Sequence, residues 1–332
     1  MNIVFFGFRH PHIFDFYRMA QAHPQVQILG SVEEHPEDRA KAAELLGIHF
    51  DETTYLQYLK DANVDTVAIG CAYGDRGDAV IAALEHGKHV ISDKPLCTSP
   101  QQLARIQQLV EQTNRKVMCL LDLRYYPAMQ AAEALLQSGS MGKIQNVSFT
   151  GQHCLNEDSR QRWYFEKGKH GGTINDLAIH GVDLIRHLAG CGIGKIHAAR
   201  TWNAYAKKHP DFKDSAIFMA ELENGAGVLA DISYSAVPLI YQSPIYWNFK
   251  LWCEKGVVEF CLAKNDVTVY DGQGEQPRIV PGFVKENSIL DDMLQEIRED
   301  TTVLTHSTLQ ATYDTMQIQM AAEKGAADNE GN

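Results

Sequence analysis

The sequence predicts a two-domain α/β protein, in which a doubly wound parallel sheet is followed by an α+β domain on an open, mostly antiparallel sheet. Three observations lead to this prediction. Short apolar strands alternate with helical patterns up to about residue 121, and strands then follow one another without helices between them. The chain also has 332 residues, more than one hydrophobic core usually organises.

The composition limits the classes of protein to consider. With 30 basic and 42 acidic residues, the chain has a formal net charge of −12, which argues against nucleic acid or an anionic membrane as its main partner. Apolar runs stay well short of the roughly 20 residues of a membrane span. A strand begins at Asn2 without a leader-like segment, so we expect a cytoplasmic protein. The seven cysteines are scattered without C-x-x-C pairs and are interpreted as reduced thiols.

The predicted first domain spans residues 1–121. Its strands are expected at 3–6, 26–32, 66–69, 89–92 and 116–121, and its helices at 12–22, 36–46, 53–60, 75–86 and 99–113. Such alternation is typical of βαβ units around a parallel sheet. Ser99 and Pro100 supply an N-cap and a first-turn proline to the last of these helices.

The predicted second domain spans residues 122–325. After a helix at about 127–137, it is expected to contain a strand beyond Gly142, a helix at about 175–188, strands at 214–223, 226–237, 246–254 and 256–262, and helices at 286–299 and 306–324. Consecutive strands imply an antiparallel or mixed sheet. Residues 326–332 are predicted to form a flexible tail.

The segment that ends in Asp93-Lys94-Pro95 is the most informative of the chain. A helical pattern stops at Gly87, a strand follows at once, and Lys94 stands just beyond that strand. Ligands of open parallel sheets bind outside the carboxyl ends of the strands, so we expect Lys94 at a binding site. The alternative is a surface lysine in an ion pair with Asp93.

The loop after the first strand stands where a dinucleotide-binding fold carries G-x-G-x-x-G, but only Gly7 of the three glycines is present. Arg9 and His12 replace the other two. The helix that begins at Pro11 still offers backbone N–H groups to a pyrophosphate, and Arg9 could add a bidentate contact. We therefore assign Gly7, Arg9, His10 and His12 to cofactor binding, with a purely structural turn as the alternative.

Glu33 ends the second strand, where a carboxylate accepts hydrogen bonds from the adenosine ribose and disfavours a 2′-phosphate. This position favours NAD over NADP. The alternative is a solvated acid beside Glu34. His10 and His12 could also be metal ligands, but two histidines around a proline are weak evidence, and no metal is predicted.

Asp176 and His180 are four residues apart in the second half of the chain, so they share one face of the expected helix. A histidine that a carboxylate orients is a candidate general base. Two alternatives remain: a helix acid paired with a half-buried histidine, and a metal site formed by His170, Asp176 and His180.

Three motifs taken together resemble the glucose–fructose oxidoreductase / inositol dehydrogenase / MocA (Gfo/Idh/MocA) family. They lie at residues 87–96, 123–127 and 171–183. The resemblance spans nearly the whole chain. It implies an N-terminal Rossmann domain that binds NAD(P) and a C-terminal domain whose open sheet supports the substrate pocket and often an oligomer interface. Members typically oxidise or reduce a hydroxyl or carbonyl group of sugars and cyclitols.

The resemblance also implies roles for individual residues. Lys94 matches the family's active-site lysine, His180 its general acid/base, and Asp176 the acid one helical turn earlier. Arg124 matches the arginine of the segment that enters the second domain, and we assign Arg124, Asp93 and also Lys94 to cofactor binding. The predicted catalytic residues are therefore Lys94, Asp176 and His180.

The chain departs from the family pattern in three places. Asp93 replaces a glutamate, His170 replaces the first of three glycines, and Arg9 with His12 replaces two glycines of the nucleotide loop. The prediction is an NAD-dependent oxidoreductase acting on a small sugar-like substrate, as a homodimer or homotetramer. A non-catalytic cofactor- or sugar-binding sensor of the same fold is one alternative, and a metal-dependent lyase or isomerase is another.

Overall fold

The computed structural model describes residues 1–50 and 52–330, with the backbone alone for 326–330. The chain forms two compact units. Unit 1 comprises residues 1–120, 161–171 and 287–312, and unit 2 comprises 121–160, 172–286 and the chain from 313 onward. The division therefore does not follow one cut after residue 121.

Unit 1 contains a five-stranded sheet in its described residues. The strands are β1 (Asn2–Phe6), β2 (Gln27–Val32), β3 (Thr66–Ile69), β4 (His89–Ser92) and β5 (Val117–Cys119). They pair in parallel in the order β2-β1-β3-β4-β5. Every residue of β3 and β4 is buried, as expected for parallel strands covered on both faces.

Five helices alternate with these strands. They are α1 (Pro11–Ala22), α2 (Pro36–Leu46), α3 (Tyr55–Lys60), α4 (Tyr73–Glu85) and α5 (Pro100–Thr113). The strand order places a topological switch point between β1 and β3, where ligands of open α/β sheets bind at the carboxyl ends of the strands. Gly7, Gly70 and Asp93 directly follow β1, β3 and β4 at that edge.

Unit 2 contains an eight-stranded sheet. Its strands are β6 (Ile144–Gln152), β7 (Ile193–Trp202), β8 (Ser215–Leu222), β9 (Gly227–Ser233), β10 (Asn248–Cys253), β11 (Gly256–Cys261), β12 (Asp266–Tyr270) and β13 (Arg278–Pro281). They pair in the order β13-β12-β11-β10-β6-β9-β8-β7, and β6 with β9 is the one parallel pair among these strands. The predicted fold class is confirmed.

The helical segments of unit 2 lie mainly before and after β6. They include a 3₁₀ turn at Asp122–Tyr125, α6 (Pro127–Gln137), a π-helix at Ile174–Ala178 and α7 (Ile179–Ala189). The chain closes with α8 (Ile289–Glu299) and α9 (Val303–Glu330). Within the described residues, none of these helices combines the length and the hydropathy needed to cross a membrane.

The last helix differs from the sequence prediction at both of its ends. It continues to Glu330, because an Ala-Ala pair and the lack of proline allow the helix to propagate over residues 326–330, and the predicted flexibility of this segment stays a prediction. Residues 331–332 lie outside the described residues. At its beginning, Thr305 and Thr308 accept hydrogen bonds from backbone N–H groups of β5, an edge strand. Residues 287–312, predicted in the second domain, therefore belong to unit 1.

Candidate functional site

Gly7 makes the turn that ends β1, and the turn requires glycine. Its φ is +84°, and a Cβ atom there would lie 2.4 Å from the backbone nitrogen of Cys71. The Gly7 N–H donates to the carbonyl oxygen of Val32 at 2.8 Å. The first glycine of the nucleotide-loop pattern thus keeps its conformational role.

The N-terminus of α1 faces the carboxyl edge of the parallel sheet with its positive dipole end. Pro11 occupies the first turn, and within the described residues the side chain of the N-cap residue His10 makes no hydrogen bond to that turn. A helix start of this kind suits an anion, because backbone N–H groups and the helix dipole both favour negative charge. These features fit the pyrophosphate of a dinucleotide.

Arg9 turns towards the end of β2 and pairs with Glu33. Its Nε and Nη2 lie 3.1 and 3.0 Å from Glu33 Oε1. Glu33 is 3% exposed, and it also accepts hydrogen bonds from the backbone N–H groups of Phe8 at 2.7 Å and His35 at 2.8 Å. The pair therefore ties the glycine loop to the second strand. This geometry favours an internal role for both side chains over the predicted contacts with pyrophosphate and ribose.

Asp38 adds a second carboxylate at the end of β2, which the sequence analysis missed. Its Oδ2 lies 3.5 Å from Arg9 Nε and 3.0 Å from His35 Nδ1. Burial raises the pKa of Asp38, and repulsion by Glu33 adds to this effect. Arg9 is thus shared by two acids, and the end of β2 keeps an acidic character.

Asp93 is fully buried at the carboxyl end of β4. His10 Nδ1 lies 2.8 Å from one carboxylate oxygen, and His12 Nδ1 lies 3.2 Å from the other. The backbone N–H of Lys94 donates to the carboxylate at 2.7 Å, and Arg76 Nη2 lies 3.3 Å away. Asp93 therefore joins the loops after β1 and β4, and this geometry favours an internal role over direct cofactor contact.

Electrostatics fix the protonation states of Asp93 and His10 near neutral pH. Burial alone would raise the pKa of Asp93, but the facing His10, Arg76 and His12 hold it well below its usual range. Burial lowers the pKa of His10 to about 3 despite the attraction of Asp93. His10 is therefore neutral at pH 7, and its ring donates the Nδ1 hydrogen to Asp93.

His10, His12 and Asp93 also bring together three possible metal-ligand atoms, all within 4.8 Å of one another. A divalent cation there would meet two sources of like charge. The Arg76 guanidinium already faces the carboxylate, and the positive end of α1 begins at Pro11. We therefore interpret this cluster as a hydrogen-bond and ion-pair network.

Lys94 is 3% exposed, so the alternative of a surface lysine is wrong. Its peptide bond to Pro95 is cis. The Lys94 carbonyl oxygen accepts a hydrogen bond from Arg76 Nη1, and the Lys94 ammonium lies 5.7 Å from the centroid of the Tyr73 ring. The backbone and the charged tip of Lys94 are thus both held, at the sheet edge where the fold places ligands.

Tyr73 lies at the centre of an aromatic cluster in unit 1. Its ring is fully buried and meets the rings of Trp163 at 4.9 Å and of Tyr164 and His170 at 5.8 Å. The segment 161–171 therefore packs beside the helix start that follows β3. Trp163 is part of this buried cluster and packs in the core of unit 1.

Asp176 lies in the π-helix rather than in a regular α-helix, so its helical relation to His180 is not the one predicted. Its carboxylate is fully buried and accepts a hydrogen bond from the hydroxyl group of Tyr234, directly after β9. π-Helical turns occur frequently at functional sites. Tyr234 is a further candidate site residue that sequence reasoning missed.

His180 lies in the first turn of α7 and is nearly buried. Its ring meets the edge of the Trp247 ring at 5.8 Å, with 72° between the planes. Trp247 has φ +46°, uncommon for a bulky residue, and a Cβ atom on Gly151 would lie 2.7 Å from its indole. Gly151 therefore makes room for the ring that packs on His180.

Arg124, which is half-buried, forms an ion pair with the buried Asp183 in unit 2. Arg124 Nε donates to Asp183 Oδ2 at 2.6 Å, and Nη2 donates to the other oxygen. Asp183 is one turn after His180 on α7, so the pair ties this helix to the 3₁₀ turn that carries Arg124. A direct contact of Arg124 with cofactor stays a prediction.

The predicted site residues divide between the two units. Unit 1 brings together one group: Gly7, Arg9, His10, His12, Glu33, Asp93 and Lys94. Unit 2 holds Arg124, Asp176 and His180. Sequence reasoning missed Arg76. A signal existed in the sequence, because the spacing of Arg76, Val80 and Ala83 places all three on the same buried face of α4.

Comparisons with known proteins agree with the fold. A family model described as an oxidoreductase family with an NAD-binding Rossmann fold matches residues 2–120. A second model, for the GFO/IDH/MocA C-terminal domain, matches residues 129–259.

Curated relatives include dehydrogenases that act on different substrates. A levoglucosan dehydrogenase of Pseudarthrobacter phenanthrenivorans is 28% identical over 180 residues, which cover 53% of this chain and 45% of that protein. The NAD⁺-dependent scyllo-inositol 2-dehydrogenase of Bacillus subtilis is 27% identical over 252 residues, covering 73% and 69%. An NADP⁺-dependent D-xylose 1-dehydrogenase of Haloferax volcanii is 27% identical over 161 residues, covering 48% and 49%. Two of the three matches thus span less than half of the relative.

Solved structures match over nearly the full length. A protein of Erwinia carotovora atroseptica superposes with a TM-score of 0.86 at 22% identity, covering 97% of this chain and 98% of that one. Levoglucosan dehydrogenase in complex with NADH and levoglucosan superposes with a TM-score of 0.81 at 20% identity, covering 98% and 97%. At these identities the likeness establishes the shared fold.

Proposed function

Because the chain belongs to the Gfo/Idh/MocA family of oxidoreductases, we propose that it transfers a hydride between NAD and a sugar, polyol or cyclitol. The resemblance noted in the sequence is thereby confirmed. The observation that carries the proposal is Lys94, which is held at the carboxyl end of β4 beside the switch point of the parallel sheet. The names of the levoglucosan and scyllo-inositol dehydrogenases support the substrate class.

The loop after β1 fits a nicotinamide dinucleotide with one departure from the usual pattern. Gly7 keeps the tight turn, and the start of α1 offers an anion-binding helix end. Arg9 takes the place of a glycine, but its side chain is directed to Glu33. When bound, the cofactor would supply the acceptor or donor of the hydride.

The protein's own residues would manage charge and protons. His180 would take the proton of the substrate hydroxyl in the oxidative direction, as a histidine base is suited to do. Lys94 would stabilise the negative charge that develops on the substrate oxygen. Asp176, held by the Tyr234 hydroxyl, would orient His180 or bind a neighbouring hydroxyl group of the substrate.

The preference for NAD rests on the acidic character at the end of β2. Glu33 and Asp38 face one guanidinium, that of Arg9, so two carboxylates share one positive charge. A 2′-phosphate would add further negative charge at this place. A family relative that uses NADP⁺ makes direct measurement necessary.

Absorbance of NADH tests the proposal. The purified protein is given NAD⁺ or NADP⁺ with levoglucosan, scyllo-inositol, D-xylose or related polyols, and NADH binding is measured by calorimetry. We expect NADH production with at least one of these compounds. Tight binding of NADH without turnover on any of them would favour the sensor alternative. Stoichiometric metal after purification would favour a lyase or isomerase. A homo-oligomer and a cytoplasmic location stay predictions.

A further inference from the structure

We propose that Arg76 is a positioning residue of the reaction, which fixes the backbone of Lys94 so that its ammonium group meets the reacting oxygen. The inference rests on the proposed function. It concerns a residue of α4 that no family motif singled out in the sequence, and its contacts all lie within unit 1.

Each nitrogen of the Arg76 guanidinium has a different partner. Nε donates to the carbonyl oxygen of Cys71 at 2.9 Å, Nη1 donates to the carbonyl oxygen of Lys94, and Nη2 lies 3.3 Å from Asp93 Oδ2. Cys71 follows β3, while Asp93 and Lys94 follow β4. One planar group therefore fixes the distance between two strand ends at the edge of the sheet.

The Tyr73 ring sets the orientation of this group. The Arg76 guanidinium carbon lies 4.5 Å from the centroid of the Tyr73 ring, which fixes the plane of the fork. The Lys94 ammonium lies near the same ring, at 5.7 Å. Asp93 also holds Lys94, because it accepts the Lys94 backbone N–H at 2.7 Å. Both backbone polar groups of Lys94 are thus bound to the same ion pair.

Stability alone does not explain a buried arginine here. Arg76 is fully buried with Asp93, and replacing such an ion pair by apolar residues of similar volume is often neutral or stabilising. A lysine could supply the charge, but it lacks the fixed fork that reaches two carbonyl oxygens and a carboxylate together. The geometry is the feature that only arginine provides, and the backbone of Lys94 is what that geometry fixes.

A double-mutant cycle tests the inference. Arg76→Gln and Lys94→Ala are made singly and together. For each protein, kcat and KM are measured with NAD⁺ and the sugar or polyol that the wild type oxidises fastest. We expect Arg76→Gln to lower kcat about 10–100-fold with little change in KM, because small displacements of a reacting group have effects of this size. In the Lys94→Ala background the same change should have almost no further effect, because Arg76 acts through Lys94.

Two further variants separate positioning from folding. Arg76→Lys keeps a cation beside Asp93, so the fold and the NADH Kd should be retained while kcat falls. Lys88→Gln is the matched control, because Lys88 is a buried cation at the opposite end of β4 that donates to the carbonyl oxygens of Asp61 and Val64, both at 2.7 Å. It should lower Tm and leave kcat unchanged.

The outcomes distinguish the inference from the proposed function. Normal kcat in Arg76→Lys, or losses that multiply in the double variant, would overturn the positioning role alone. If the wild-type protein oxidises none of the compounds, the proposed function fails and the inference fails with it. If Lys94→Ala keeps the wild-type kcat, both the assignment of Lys94 and the role of Arg76 are wrong.

Discussion

The candidate catalytic side chains of the two units are held by different physical means. In unit 1, Lys94 lies in a network of charges formed with Asp93 and Arg76. In unit 2, His180 packs against the neutral ring of Trp247, and the nearby Asp176 carboxylate accepts a hydroxyl hydrogen bond. In the proposed reaction the charged network would fix the backbone of Lys94, whereas the Trp247 ring and the Asp176 carboxylate would orient the ring of His180.

The largest expected effect is the loss of the proposed base. His180→Ala should lower kcat by about 10²–10⁴-fold, the usual contribution of general acid–base catalysis. The wild-type oxidative rate should rise with pH through a titration that the variant lacks. Rates over a pH series, with NADH binding as the folding control, check this. A variant that keeps both the rate and the pH profile would assign His180 to packing.

The second prediction removes the charge of Lys94, the candidate catalytic side chain of unit 1. Lys94→Ala should lower kcat by about 10²–10³-fold, as loss of a positioned group that stabilises an oxyanion does. NADH binding should remain close to wild type, measured by calorimetric titration. Unchanged kcat in a folded variant would show that the ion network around Lys94 serves the fold.

The sequence predicted most regular elements well, and the local signals explain why. The helix α5 begins at Pro100 as predicted, because Ser99 caps it by accepting a hydrogen bond from the Gln102 N–H at 3.2 Å. Buried strands such as β3 and β4 also show in the sequence through their apolar residues, Val67–Ile69 and Val90–Ile91. The short strand β13 was not predicted, because its four residues follow a turn-rich stretch and carry no clear alternation.

The site was predictable by position but not by contact. Spacing identifies Lys94 and Glu33 at strand ends, yet it does not reveal that Arg9 turns to Glu33 instead of remaining open to a ligand. The π-helix at Asp176 was likewise not predicted. The spacing of apolar residues does not distinguish a π-helical turn from an α-helical one, and the hydrogen bond from Tyr234 that accompanies it is a tertiary contact. These contacts join residues far apart in the chain.

The third prediction tests the hydroxyl group that holds Asp176. Tyr234→Phe removes one hydrogen bond to a buried carboxylate and keeps the ring, so it should lower kcat about tenfold, as the loss of a charge-assisted bond of 1.5–3 kcal/mol allows. Steady-state rates of both proteins provide the measurement. Tyr205→Phe, at a half-exposed tyrosine of the same unit, is the matched control and should leave kcat unchanged. Equal rates for Tyr234→Phe and wild type would remove Tyr234 from the site.

The fourth prediction concerns the Arg9–Glu33 pair in unit 1. Arg9→Gly restores a glycine to the nucleotide loop but leaves the buried Glu33 carboxylate without its guanidinium partner. We expect lower stability and weaker NADH binding, because the loop loses its tie to β2. The double variant Arg9→Gly/Glu33→Gln should recover about 1–3 kcal/mol of stability relative to Arg9→Gly. Chemical denaturation and calorimetry measure both effects, and tighter NADH binding in Arg9→Gly would instead favour an obstructing role for Arg9.

The smallest expected effect is the pH dependence of stability that buried histidines cause. Burial lowers the pKa of His10 to about 3 and that of His89 to about 4, whereas a histidine of the unfolded chain titrates near 6.5. Between these values the unfolded state binds more protons than the folded state. The contribution of these two histidines to stability should therefore be constant above about pH 7 and fall as the pH drops below about 6.5.

His10→Asn isolates the share of His10 in that fall, because asparagine can still donate a hydrogen bond to Asp93 but does not titrate. Each buried histidine contributes a slope of up to about 1.4 kcal/mol per pH unit. Between pH 6 and pH 5, where most carboxylates remain ionised, the variant should lose stability more gradually than the wild type by up to that amount. Urea unfolding at about pH 7.5, 6 and 5 measures the difference, because these values lie on both sides of the pKa of a histidine in the unfolded chain. Parallel curves for the two proteins would mean that folding does not shift the pKa of His10, and a wild type that gains stability between about pH 7.5 and 6 would mean that the pKa is raised by an ion pair with Asp93.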